Sequence, residues 1–201
     1  TDISAGRLRF QKKGNLVRAL FSARVWDTIT SYMALRKFHR KGVPGMKIHV
    51  IAVGKLKEKF WVDACAEYVK RLKAYAKVTV QEIPDRDPAK SGGEEGARRI
   101  EGKGILEALP EHSHVILLDV GGKQLSSEGI AARMDALMLS GVSDITFVVG
   151  GSGGVSRGVY DFADEHLSFG KITLPHNLAR VVLLEQIYRA FKISRGEPYH
   201  K

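Results

Sequence analysis

From Lys47 onward the spacing of apolar residues changes period in a regular way. Lys47–Val53 is a β-branched run closed by Gly54, Glu58–Ala74 carries apolar residues at helical intervals, and Lys77–Ile83 returns to strand character before Pro84. A polar loop over 85–93 precedes a predicted helix from about Glu94 to Leu109, weakened by Gly102 and Gly104. Val115–Val120 reads as a strand turned by Gly121-Gly122, and Ser126 or Ser127 is placed to cap a helix reaching Leu139. Asp144–Val149 is a strand, Arg157–Phe162 a short helix, Leu167–Phe169 a strand end, and Asn177–Ile193 the last helix. This alternation predicts an α/β fold, a mostly parallel sheet with helices on both faces. Ligands in such sheets bind beyond the carboxyl ends of the strands.

Charge divides the chain. Its formal net charge is +10, from 32 Lys/Arg and 22 Asp/Glu, but residues 1–45 hold ten of the cations and two of the acids. That leaves 22 against 20, or +2, for residues 46–201. Affinity for nucleic acid comes largely from neutralised phosphates, so this near-neutral body must concentrate cations locally or recognise a shaped partner. Lys171, Arg180, Arg189, Lys192, Arg195 and Lys201 are the candidates. Gly42-Val-Pro-Gly45 before Met46 marks the clearest boundary: residues 1–45 form a basic N-terminal extension, with a possible helix over Asn15–Arg40, and residues 46–201 form the main domain. The extension reads as leader sequence preceding a true start at Met46, non-native or disordered, with an RNA-binding arm as the functional alternative. A single cysteine, Cys65, excludes an internal disulfide and fits a reducing, cytoplasmic setting. No apolar stretch approaches the length of a membrane span.

Two loops carry candidate chemistry. Phe147-Val-Val opens into Gly150-Gly151-Ser152-Gly153-Gly154, and Phe169–Leu174 leads through Pro175-His176-Asn177 into the last helix. The first lacks the spacing of a dinucleotide fingerprint and the lysine of a phosphate-binding P-loop, and a plain tight turn is its structural alternative. None of the seven histidines has metal-ligand spacing, so no metal is expected.

With Met46–Lys55, Leu118-Asp119, Leu174-Pro175-His176, and the ending from Tyr188-Arg189-Ala190-Phe191-Lys192 to Tyr199-His200-Lys201, these loops make the segment 46–201 resemble the SPOUT class of RNA methyltransferases. Within that class it resembles the RlmH family of ribosomal large-subunit pseudouridine methyltransferases. The resemblance implies a C-terminal trefoil knot forming a pocket for S-adenosyl-L-methionine at Leu118, Gly150, Phe169, Gly170, Lys171, Ile172, Thr173 and Leu174. It implies methylation of a pseudouridine N3 in 23S rRNA of the assembled bacterial ribosome by a homodimer. A tail ordered over substrate would then use His200 as general base and Tyr199 to orient the reacting ring, with Arg180 a third catalytic candidate and His176, Arg195 and Lys201 contacting substrate. In the last helix Val181, Leu184, Tyr188 and Phe191, broadened by Val182, Leu183 and Ile187, present more apolar surface than one sheet face requires, which also predicts a second copy. A SPOUT enzyme acting on tRNA or another rRNA position, and a non-catalytic ribosome-binding protein of the same fold, remain open.

Overall fold

A computed structural model describes residues 45–199. The basic extension up to residue 44, its predicted helix, and the tail residues His200 and Lys201 lie outside the described residues. The elements run β1 (Lys47–Val53), α1 (Lys59–Leu72), β2 (Lys77–Ile83), α2 (Pro88–Ser91), α3 (Gly93–Ala108), β3 (His114–Gln124), α4 (Ser127–Leu139), β4 (Asp144–Val149), α5 (Arg157–Phe162), β5 (Glu165–Ser168) and α6 (His176–Arg195). All five strands form one parallel sheet in the order β2-β1-β4-β3-β5.

The β-branched run of β1 is buried on both faces because it lies inside that sheet. Ile48, Val50 and Ala52 enter one apolar cluster with α1, α4 and α6, while Ile51 and Val53 enter a second with α3 and α5. Each such Val or Ile contributes about 1.5–3 kcal/mol by leaving water. Cys65 belongs to the first cluster, and burial pushes its thiol up, away from nucleophilic character. Caps follow the sequence: Ser126 Oγ accepts from the Gly129 amide at 3.1 Å, and Ser156 Oγ from the Val159 amide at 3.4 Å. Among the described residues no helix is long and apolar enough to cross a membrane.

Three local expectations change. The predicted polar loop over 85–93 contains the short helix α2, whose cap Asp87 accepts from the Ala89 amide at 3.0 Å. Gly121-Gly122 does not turn the chain out of β3. The strand continues to Gln124, and Leu118 and Lys123 both pair with Leu167 across a register shift. Gly122 allows this because a Cβ there would lie 2.7–2.8 Å from the backbone of His166 and Leu167. The wide apolar stripe of α6 is largely covered within one chain: Leu183, Leu184, Ile187, Ala190 and Phe191 are buried in the cluster shared with α1 and α4. Surplus apolar surface on α6 is therefore no argument for a second copy.

Candidate functional site

Parallel strands deliver their outgoing chains to one edge, and the adjacent ends of β4, β3 and β5 enclose a cavity of about 550 Å³ there. β3 supplies Leu118, Asp119 and Val120, β4 leads into Gly150 and Gly151, and β5 leads through Ser168 to Gly170. The segment from Ile172 to His176 and Ala179 of α6 complete the lining. Seven of the eight positions expected to hold a cofactor therefore meet at one place: Leu118, Gly150, Phe169, Gly170, Ile172, Thr173 and Leu174. Lys171 lies in the same loop, exposed and outside the lining.

The wall after β4 is backbone. The Gly154 amide donates to the Gly151 carbonyl at 3.0 Å, closing a tight turn in which Gly154 takes φ +83°. A Cβ on Gly150 would stand 2.8 Å from Val155 Cγ1. The wall after β5 is held by buried Ser168, whose hydroxyl accepts from the Gly170 amide at 3.1 Å and lies 2.9 and 3.1 Å from the carbonyls of Gly170 and Val120. That hydroxyl ties the ends of β3 and β5 together beside the cavity. At the rim, Ile172 holds an apolar side chain 67% exposed.

His176 opens α6 with its ring seated on Gly54, where a Cβ would approach Nε2 to 3.0 Å and where φ is +88°. Behind it stands Arg180, fully buried and not part of the cavity lining. Its Nη1 donates to Glu82 Oε1 at 2.7 Å, and Nη2 to the carbonyls of Gly54 at 2.9 Å and Val53 at 3.4 Å. This guanidinium holds the glycine that supports His176.

The tail occupies a different region. α6 ends at Gly196 in the left-handed conformation, φ +64°, and the chain folds back along the helix. Glu197 accepts from Tyr75 Oη at 2.6 Å and Lys192 Nζ at 2.7 Å, and these bonds hold its carboxyl below the usual range. The Arg195 guanidinium sits 4.4 Å over the Tyr75 ring. Tyr199 packs edge-on against Tyr188 at 4.9 Å with the Arg189 guanidinium 4.8 Å over its ring, and its hydroxyl donates to Glu185 Oε1 at 3.3 Å. Burial, reinforced by the Tyr68 phenol and Glu185, pushes Tyr199 up to about 12, so it is neutral at physiological pH. Arg195 and Tyr199 thus gather against α1 and α6, apart from the cavity.

Most cations anticipated for RNA contact are occupied: Arg180 with Glu82, Arg189 with Glu185, Lys192 with Glu197, and Arg195 with Glu197 at 4.0 Å. Sequence reasoning did not single out Gly54, Ser168, Glu82 or Asp119 as site residues. Gly54 closing a strand was the available signal for the first. Ser168 and Glu82 carry none, because their partners are remote in sequence. Asp119 is the acidic side chain of the cavity lining.

The family model for predicted SPOUT methyltransferases matches residues 46–200. A ribosomal RNA large subunit methyltransferase H from Listeria monocytogenes serotype 4b is 50% identical over 159 residues, covering 78% of this chain and all of the relative. The protein of that name from Listeria welshimeri is 51% identical with the same coverage. A probable methyltransferase from Bordetella pertussis superposes with a TM-score of 0.47 at 14% identity, covering 73% of this chain and 96% of the other. A match of this extent, at half identity over the whole of each Listeria protein, leaves one assignment: the chain belongs to the SPOUT methyltransferases, in the RlmH family.

Proposed function

We propose that this protein transfers a methyl group from S-adenosyl-L-methionine to N3 of a pseudouridine in 23S rRNA of the assembled bacterial ribosome, acting in the cytoplasm as a homodimer. The observation that carries the reading is the convergence of two glycine-bearing loops on one cavity at the carboxyl ends of β3, β4 and β5. About 550 Å³ suits a ligand of nucleoside size. Leu118, Val149, Leu167 and Phe169 offer apolar surface for a purine, and the Gly150–Gly154 and Phe169–Leu174 backbones offer peptide donors and acceptors. Asp119 supplies the negative charge that a cationic sulfonium ligand calls for. When bound, that cofactor supplies an electrophilic methyl on sulfur.

The protein's part is to orient and to move a proton. N3 must lose its proton to a base as its lone pair forms the new bond to the methyl carbon, the carbon–sulfur bond breaking with its electron pair left on sulfur. His200 suits the base, with a histidine's proton affinity near neutrality. Tyr199, neutral at that pH, suits stacking or orienting the ring rather than proton abstraction. His176 faces substrate at the cavity mouth, and Arg180 positions it through Gly54 without touching substrate. Lys201, and Arg195 whose pairing with Glu197 is loose at 4.0 Å, hold phosphates.

The docked tail supports a shared site. Tyr199 bonds Glu185 and packs on Tyr188 and Arg189, nine or more residues along α6 from His176, a rise of about 13 Å or more. This dock lies away from the chain's own cavity and suits a tail that completes the cavity of another subunit. The C-terminal trefoil knot expected of the family belongs to the same proposal.

Labelled methyl transfer to ribosomes lacking the modification tests the reading, beside free large-subunit RNA and tRNA. Label is expected on ribosomes, absent when the pseudouridine is replaced by uridine, and lost with His200→Ala. Label on tRNA alone would remove the proposed substrate, and full turnover by His200→Ala would remove that histidine as base.

A further inference from the structure

On the face opposite α6, helices α3 and α5 enclose a second concavity of about 940 Å³. Its walls carry four cations: Arg98, Arg99 and Lys103 from α3, and Arg157 from α5. Two acids, Glu95 and Glu107, accompany them. Pairing leaves much of the positive charge available. Lys103 meets Glu107 only at 3.7 Å with 77% of its side chain exposed, Arg157 pairs with Asp161 at 2.7 Å but stays 83% exposed, where such a pair is worth little and exchanges readily, and Arg99 makes no ion pair among the described residues. The helices come this close because Gly102 faces Ser156, where a Cβ would lie 2.1 Å from the hydroxyl.

The groove adjoins the cavity. Val155 lines both, and Arg98 Nη1 donates to the Gly153 carbonyl at 3.2 Å, so the glycine loop is the partition between them. Tyr160, 38% exposed, packs its ring on His166 with centroids 4.2 Å apart and has the Arg157 guanidinium 5.7 Å from its centroid, so its exposed edge is what remains to meet a base. The cations near α6 are largely consumed by internal pairs, so the phosphates of a large RNA need another counter-surface.

We infer that the α3–α5 groove seats a sugar–phosphate segment of the rRNA beside the nucleotide to be methylated, with Arg99, Lys103 and Arg157 on phosphates and Tyr160 against a base. This rests on the rRNA reading above. Exposed, spaced cations on two helices, a partly exposed ring and contact with the cofactor loop favour RNA over an acidic protein segment.

The test uses the full chain and ribosomes lacking the methylation. Binding is titrated between about 50 and 200 mM salt for the wild type and for Arg99→Gln/Arg157→Gln, with methyl transfer in parallel and S-adenosyl-L-methionine affinity as the folding control. The variant should lose about 1.4–1.8 from the slope of log affinity against log salt and bind about tenfold more weakly, with cofactor affinity kept within about twofold. Equal slopes and affinities overturn the inference. A photoreactive group on Leu106→Cys, at the groove wall, should crosslink to rRNA; crosslinks confined to ribosomal protein overturn it as well. The arms separate the two readings. Salt-dependent binding that is lost in the variant, without methyl transfer by the wild type, supports the groove and refutes the activity. Methyl transfer with identical binding by both proteins refutes the groove alone.

Discussion

Replacing Arg180 with alanine tests whether its contribution is architectural or chemical. The side chain is fully buried, and its removal deletes an ion pair to Glu82 and two bonds to the carbonyls of Val53 and Gly54. Breaking a buried pair by removing one partner costs about 3–5 kcal/mol. Two features favour the lower end: Glu82 is 33% exposed and regains water, and Arg180 Nε has no hydrogen-bond partner even in the intact site. About 3 kcal/mol in a domain of this size lowers Tm by roughly 6–12 °C. Thermal and urea unfolding measure this directly, and cofactor binding below the new Tm reports on Gly54 and His176. A weaker Kd is expected with the loss of stability, because the freed Gly54 no longer seats the histidine. A Tm within about 2 °C of wild type would refute the buried architecture. If kcat fell steeply at unchanged Tm and Kd, Arg180 would be acting on substrate instead.

Two further outcomes are expected. Gly150→Ala places a methyl 2.8 Å from the tip of Val155, a side chain with some freedom to move, so the fold should persist while cofactor affinity falls about tenfold or more, measured by calorimetry. Glu197 anchors the tail with its folded carboxyl held below the ordinary value by bonds from Lys192 and Tyr75. Its contribution is therefore present above the unfolded value of about 4.3 and lost as pH falls through the lower folded one. NMR of Tyr199 between about pH 5 and pH 2 should show the tail leaving its dock, and Glu197→Gln should weaken the dock at neutral pH and remove this transition; tail signals unchanged across that range would refute the clamp.

Sequence alone determined most of the order of the elements and the edge of the sheet where the cavity opens. Strand and helix periods are local properties, and the β-branched run Lys47–Val53, the Ser126 cap and the glycine run after β4 each act through neighbours a few residues away. Even there, boundaries moved where tertiary contacts intervened: β3 runs on through Gly121-Gly122 because the lack of a side chain at Gly122 lets it lie on the β5 backbone. Tertiary structure alone decided which polar residues serve the site. Arg180 and Glu82 stand 98 residues apart, so no periodicity reveals that one neutralises the other. The same pairing, repeated in half-buried form at Arg189, Lys192 and Arg195, withdrew cations that the charge count had offered to RNA, while Arg99, Lys103 and Arg157 of α3 and α5 stay largely exposed. Charge is counted along a chain, but its availability is set in space by whichever opposite charge the fold brings within reach.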